Sequence, residues 1–366
     1  MADRLRVLLL FGGRSAEHDV SRVSAVAVAR ALDPARYDVI PVGITREGRW
    51  VTADAARAAI AAGLDALPDA FAVEGTPVPV DAGGLAPGLG PALACDVVFP
   101  MLHGPYGEDG TVQGLCELAG LPYVGSGVIG SAAAMDKVTA KRLLGSFLLP
   151  QAQARLFRAG QDRTSVLTDA IEAFGFPLFV KPSNMGSSIG VSKAHDAAEL
   201  DAALDLALEY DVDVLIEEAI VGREIEVGVL GDPPAASVPG EIVPAADFYS
   251  YADKYEDGTA TLVAPADLTP EQTAEVQRLA LAAFEACRGE GMARVDFFLE
   301  ATDADGAPGR GFLVNEVNTI PGFTPISMYP RLWAESGVSY SQLLDRLIEH
   351  ALARHTRRVE RAGHPR

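Results

Sequence analysis

The chain has 366 residues, a formal charge of −20, 36 glycines, 24 prolines and three cysteines. That balance disfavours nucleic acid as a partner, since no basic stripe can replace its counterions, and no run approaches the roughly 18 to 20 apolar residues of a helical membrane span. The length exceeds one compact core and points to two or three domains. Cys95, Cys116 and Cys287 are widely spaced and form no metal pattern, so they read as buried packing in a reducing, cytoplasmic protein.

The first 130 residues alternate two kinds of run. RVLLLFGG, DVIPVGIT, DVVFPMLHG and PYVG read as strands, and HDVSRVSAVAVARALD and DGTVQGLCELAG as helices, which predicts an α/β unit with a mostly parallel sheet. Val7 to Phe11 is too short for a secretory apolar segment and ends at Gly12-Gly13, so it reads as the first strand. The alanine- and glycine-rich stretch from Ala53 to Leu93 breaks the rhythm and reads as an elaborated edge. Open sheets of this kind bind ligands beyond the carboxyl ends of their strands. Two loops fall there: Gly12 to His18, and Leu102 to Gly110 with His103 among glycines. Glu17 either complements a helix dipole or receives a substrate ammonium.

Two literal motif matches mislead. Gly125 to Gly130 satisfies G-x-G-x-x-G, but no acidic residue follows between Val138 and Gln161, where a dinucleotide site needs one. Gly186 to Gly190 satisfies G-x-S-x-G, yet the next residues continue extended rather than helical, so a nucleophile elbow is the poorer reading. A glycine loop joining two strands, with N–H groups able to wrap phosphate, is the better one.

From Met135 a helix carrying Asp136-Lys137 and Lys141-Arg142 leads into a second α/β unit, whose strand Phe176 to Pro182 presents Lys181 just before the glycine loop. Glu217-Glu218 follow an apolar run, and Glu224 precedes the strand Ile225 to Leu230; exposed acidic residues of this kind are ordinarily a solvated surface.

Met292 to Glu300 and Gly311 to Asn318 are strand-like, with a turn-rich segment between them, and predict an antiparallel hairpin. Alternation places Arg294 and Asp296 on one face, and Glu316 and Asn318 on one face. The result is either a solvated polar face or a set of hard oxygen ligands suited to Mg²⁺ beside an arginine. Asn318 to Gly322 then forms a turn whose glycine lets N–H groups approach a reacting oxygen, and Ser327 and Met328 open a helix that can receive a carboxylate. The basic tail from Arg354 to Arg366 reads as a frayed end.

GGRSAEHDVS, LHGPYGEDGTVQG, MDKVTAKRL, VKPSNMGSSIGVSK, FYSYADKY, RVDFF and NEVNTIPGFTPISMYP stand in the order and spacing found in ATP-grasp enzymes, and the chain resembles, over nearly its whole length, their D-alanine–D-alanine ligase family. The resemblance implies three domains, α/β with α+β character toward the C terminus. These are an N-terminal substrate domain over 1–130, a central subdomain over 131–235 and a C-terminal domain over 236–366, with nucleotide between the last two. It implies ATP on Lys137, Lys181, Glu217, Glu224 and Phe298, and two Mg²⁺ (with Mn²⁺ as a substitute) on Asp296, Glu316 and Asn318. Glu17 would bind the first substrate's ammonium, with His103 nearby, and Ser187 would join Glu17 and Tyr255 in a hydrogen-bond network. Arg294 and the Gly322 N–H would stabilise a tetrahedral centre, and Ser327 and Met328 would seat the second carboxylate. Lys254, on the phosphates, and Tyr255 would belong to a lid over 247–262. The implied activity is ligation of two D-alanine molecules through an acyl phosphate, for peptidoglycan precursor synthesis, by a homodimer. D-alanine–D-lactate or D-alanine–D-serine ligation, and a non-catalytic nucleotide-binding regulator, are the alternatives.

Overall fold

The computed structural model describes residues 4–62, 71–78, 94–244, 261–302, 308–324 and 326–362. In the N-terminal part β1 (Leu5–Gly12), β2 (Tyr37–Ile44) and β4 (Val97–Pro100) are near-continuous apolar runs, as strands covered on both faces must be. β1 pairs in parallel with both neighbours, and β3 (Trp50–Thr52) adds an antiparallel edge to β2, giving the order β3-β2-β1-β4. Helices α1 (His18–Ala31), α2 (Asp54–Ala62) and α3 (Thr111–Leu118) accompany this sheet. PYVG is not the strand its composition suggests. Tyr123 makes an isolated parallel bridge to Val98, and Gly125 at φ +95° turns the chain away before α4 (Val128–Met135). The neighbouring Gly127 N–H donates to Glu290 at 3.1 Å, so this glycine run serves an internal contact.

The helix expected from Met135 is present as α5 (Lys137–Ser146), with Lys137, Lys141 and Arg142 on it; Asp136 lies just outside, ending α4 and capping α5 by accepting the Thr139 N–H at 2.7 Å. Beyond it lies a second sheet of β5 (Ala154–Arg158), β6 (Leu178–Pro182), β7 (Ser192–Ala194) and β8 (Asp213–Glu218), ordered β5-β8-β6-β7 and antiparallel throughout. Helices α6 (Arg163–Phe174) and α7 (Ala197–Leu208) supply its core. The expected glycine loop does join two paired strands, β6 and β7.

The third sheet holds β9 (Gly222–Gly231), β10 (Pro234–Val243), β11 (Thr261–Val263), β12 (Met292–Glu300) and β13 (Phe312–Asn318) in the antiparallel order β11-β10-β9-β12-β13. The predicted hairpin is its β12-β13 pair. α8 (Pro270–Ala286) starts with a Thr269–Gln272 capping box and proline in its first turn, and buries Val276, Leu279, Ala280 and Ala283 against Val227, Val295 and Phe297.

After α9 (Met328–Glu335), α10 (Tyr340–Ala362) returns to the first sheet, where Leu343, Leu344 and Leu347 share a core with Val7, Leu9 and Phe99. The basic stretch expected to fray is therefore helical through Ala362. Arg354 is buried, donates to the carbonyls of Tyr123 (2.7 Å) and Gly125, and lies over the Tyr123 ring at 4.4 Å from its centroid. Burial of the helix face at a sheet that lies more than 200 residues earlier in sequence overrides the local charge pattern. Cys116 and Cys287 are buried as expected, whereas Cys95 is only partly so. Among the described residues no helix is long and apolar enough to cross a membrane.

Candidate active site

The carboxyl ends of β1 and β4 are tied together by one serine. The Gly12 N–H donates to Ser21 Oγ at 2.8 Å, and Ser21 donates to the Met101 carbonyl. Glu17, at the start of α1, is buried in the resulting crevice and accepts a hydrogen bond from Ser187 of the β6–β7 loop, 170 residues away in sequence. Two glycines make room for it. A Cβ on Gly104 would stand 3.1 Å from Glu17 Oε2, and one on Gly186 would stand 3.3 Å from it. Ser187 and Ser188 adopt the left-handed conformation, with φ of +50° and +59°, which aims the loop at the first sheet.

His103 and Glu108 reach from the loop after β4 to the turn after β13 and hold a single residue of it. The Ile320 N–H donates to Glu108 at 3.0 Å, and the Ile320 carbonyl accepts from His103 Nδ1 at 3.0 Å. With Nδ1 donating, Nε2 is the acceptor for Ser24 Oγ at 3.2 Å, while the Phe323 N–H donates to Ser24 at 3.4 Å. Both ring nitrogens of His103 are thus engaged by protein groups. Burial keeps its pKa below the ordinary imidazole value although Glu17 pulls the other way. Glu108 also accepts the Gly104 N–H at 2.7 Å; burial, reinforced by Glu17, pushes its carboxyl up to about 8 against those two donors. Glu108 sits in the LHGPYGEDG stretch but carries no periodicity that would mark it as buried.

On the other side of the crevice Glu217 is buried on β8 rather than solvated as its type suggests. One carboxylate oxygen meets Lys141 at 2.7 Å and the other meets Lys181 at 2.7 Å. Burial alone would raise its pKa, but the two ammonium groups outweigh it and hold the carboxyl at about 2. Lys181 keeps its charge despite burial, through Glu217 and, more remotely, Glu316 and Glu224. It also donates to Asn315 at 3.3 Å. Lys137 donates to the Met185 carbonyl of the glycine loop. Glu224 and Phe298 are register partners on β9 and β12.

The β12–β13 hairpin brings Asp296 opposite Glu316 and Arg294 opposite Asn318, in the predicted facing arrangement. A bulge between Asp296 and Phe297 in that register sets Asn315 out of the regular pairing, and Asn315 is the side chain that meets Lys181. Arg294 grips Asp296 with two hydrogen bonds of 2.7 Å and meets Glu226 at 3.2 Å, and Asn318 Nδ2 donates to Asp296 at 3.0 Å. Burial opposes the charge on Arg294, but Asp296, Glu226 and Glu316 raise its pKa well above the ordinary value. Glu226, on β9, is in register with Asp296, so carboxylates from three adjacent strands stand level with one another. Glu224 and Glu226 alternate with buried Ile225 and Val227, and that period of two was the available signal for Glu226. Lys141, Glu108 and Asn315 had none.

Gly322 lacks a Cβ for want of room. Such an atom would stand 2.9 Å from Ser327 Oγ, which itself accepts the Thr324 N–H at 3.0 Å. Met328 opens α9, but its side chain is buried in a small core with Ile242 and Leu332. Lys254, Tyr255 and residues 247–260 of the expected lid lie outside the described residues, and Thr261 and Leu262 belong to β11.

Comparison with known proteins shows the family. The D-ala D-ala ligase N-terminus family matches residues 6–126, and the D-ala D-ala ligase C-terminus family matches 143–349. A D-alanine–D-alanine ligase of Streptomyces coelicolor is 50% identical over 374 residues, covering 96% of this chain and 94% of its own length. That of Geobacillus kaustophilus is 48% identical over 372 residues, with 96% of each chain covered. Among solved structures, the D-alanine–D-alanine ligase from Coxiella burnetii superposes with a TM-score of 0.85 at 36% identity, over 99% of this chain and 97% of that one. VanG D-Ala:D-Ser ligase from Enterococcus faecalis gives 0.81 at 35%, over 95% and 100%.

Proposed function

The chain belongs to the D-alanine–D-alanine ligase family, whose fold is the ATP-grasp fold and whose reaction is ATP-dependent, and from that premise we propose that it joins two D-alanine molecules into D-alanyl-D-alanine for peptidoglycan precursor synthesis. The observation that carries the reading is the meeting of Glu17 with Ser187, because it sets an ammonium-binding carboxylate against the loop that would wrap phosphate.

In this reading Glu17 holds the first D-alanine by its ammonium, and that molecule's carboxylate attacks the γ-phosphate of ATP, breaking the bond to the β,γ-bridging oxygen so that ADP leaves and D-alanyl phosphate forms. Lys137 and Lys181 orient the phosphates, with Lys254 as a further cation, and Glu217, Glu224 and Phe298 bind the rest of the nucleotide between the second and third sheets. The second amino acid, seated by Ser327 and the start of α9, attacks the acyl phosphate through its free amine; phosphate leaves and the amine loses a proton. Arg294 and the Gly322 N–H stabilise the tetrahedral oxyanion. His103 and Glu108 act here by holding the turn that carries Gly322, and Tyr255 would complete the network of Ser187 and Glu17.

The donors Asp296, Glu316 and Asn318 fit Mg²⁺ in kind: all are hard oxygen ligands, and the two carboxylates face each other across β12 and β13. They would hold two Mg²⁺, which when bound neutralise charge on the phosphates. The three sheets support a division into N-terminal, central and C-terminal domains; the boundary expected at 235/236 falls inside β10, and the break between the second and third sheets lies between Glu218 and Gly222. We also propose a cytoplasmic homodimer, testable by light scattering in solution.

The test is phosphate release with ATP, Mg²⁺ and D-alanine, with mass analysis of the product and competition by D-serine and D-lactate. D-alanine-dependent release giving D-alanyl-D-alanine as the major product is expected, because relatives 48 to 50% identical over 96% of this chain are D-alanine–D-alanine ligases. ATP turnover independent of D-alanine, or a dominant mixed product, overturns the assignment.

A further inference from the structure

Lys141 follows Lys137 by one turn of α5, and its side chain leaves the helix to meet Glu217. Three contacts fix it. Its ammonium meets Glu217 Oε1 at 2.7 Å and donates to the Ala152 carbonyl at 2.9 Å, while its own carbonyl accepts from Gln151 Nε2 at 2.9 Å. The Lys141 and Lys181 side chains are each 15% exposed and that of Glu217 is 5% exposed, so the trio is screened little by water.

We propose that Lys141 is a positioning residue for ATP, occupying one oxygen of Glu217 so that the carboxylate is not given over to Lys181 alone. The inference rests on the ligase reading above. Each Glu217 oxygen has its own ammonium partner, an arrangement that leaves Lys181 sharing its donors between Glu217 and Asn315 at the mouth of the phosphate loop. With Lys141 neutralised, Lys181 becomes the only one of these two cations against Glu217, Glu224 and Glu316, all of which act on it. Around Glu217 the local balance then goes from two lysines against one carboxylate to one against one, in a pocket that must receive a polyanion. Glu217 would still keep one ammonium partner, so no buried charge is orphaned, and the expected loss falls on nucleotide binding rather than on folding.

The experiment is a calorimetric titration with ATP and Mg²⁺ in the absence of D-alanine, on wild type, Lys141→Met, Lys141→Arg, Glu217→Gln and Lys141→Met/Glu217→Gln, each also assayed for turnover. Lys141→Met is expected to raise the ATP Kd roughly tenfold while the D-alanine KM stays within about twofold, and Lys141→Arg to recover most of the affinity. In the Glu217→Gln background the same substitution should change the Kd by less than about threefold, since the charge it manages is gone. A wild-type Kd in Lys141→Met, a parallel shift in the D-alanine KM, or additive effects in the double variant overturns the proposal. Should Lys141→Met fail to fold by its melting curve, Lys141→Gln is read by the same criteria. Wild type that binds ATP but releases no phosphate with D-alanine sinks the ligase reading, whereas the Kd comparison still decides the role of Lys141.

Discussion

Two buried charge clusters in this molecule are mirror images in composition. Around Arg294 a single cation meets Asp296 and Glu226, with Glu316 close by; around Glu217 a single anion meets two lysines. Buried ion pairs contribute little net stability because desolvation offsets their attraction. Their imbalance is therefore better understood as chemistry. The cluster with surplus carboxylates suits cations, and the one with surplus ammonium groups suits phosphates. Their construction differs as well. Neighbouring strands in register build the Arg294 cluster, while a helix and two strands of another sheet build the Glu217 cluster.

Replacing the lone cation tests that contrast most severely. Arg294→Lys keeps the charge but loses the planar fork that grips Asp296, so turnover should fall by roughly 10² to 10³ while ATP affinity stays near wild type. Titration calorimetry beside steady-state kinetics separates the two; normal turnover with a raised ATP KM would move Arg294 to the nucleotide side.

Glu316→Gln sharpens the reading of the anionic cluster as a cation site. The Mg²⁺ concentration needed for half-maximal rate should rise on the order of 10- to 100-fold, and the melting temperature without Mg²⁺ should change by only about 2 °C, on the scale of a surface substitution. Equal losses of stability and rate would return the hairpin to a purely structural role.

The smallest expected effect is in the pH dependence of stability, where two carboxyls bend the curve in opposite directions. Glu217 ionises at about 2 in the folded protein against an ordinary 4.5; its contribution is present above 4.5 and lost as pH falls toward 2. Glu108 is held protonated up to about 8, so the folded state binds the proton more tightly and stability declines as pH rises from 4.5 through 8. Urea titrations across this range should show Glu217→Gln flattening the acid limb and Glu108→Gln flattening the decline toward 8. Unchanged slopes in both variants would mean that neither group is perturbed in solution.

Alternation along Met292 to Glu300 and along Phe312 to Asn318 was sufficient to read the hairpin and its polar face, because strand geometry sends every second side chain the same way whatever surrounds it, while the register that sets Asp296 opposite Glu316 came from the structure. The glycine loops at strand ends were legible for a similarly local reason, since turns and close backbone approach select glycine. What closes the site was decided in three dimensions. Glu17 meets Ser187 across 170 residues, Glu108 and His103 reach Ile320 across more than 200, and Arg354 anchors the last helix to Tyr123. A glutamate on a solvated face and one clamped between Lys141 and Lys181 are the same letter in sequence. Only the docking of the sheets removes the water that would otherwise make them alike, and that exclusion converts ordinary surface charges into a site.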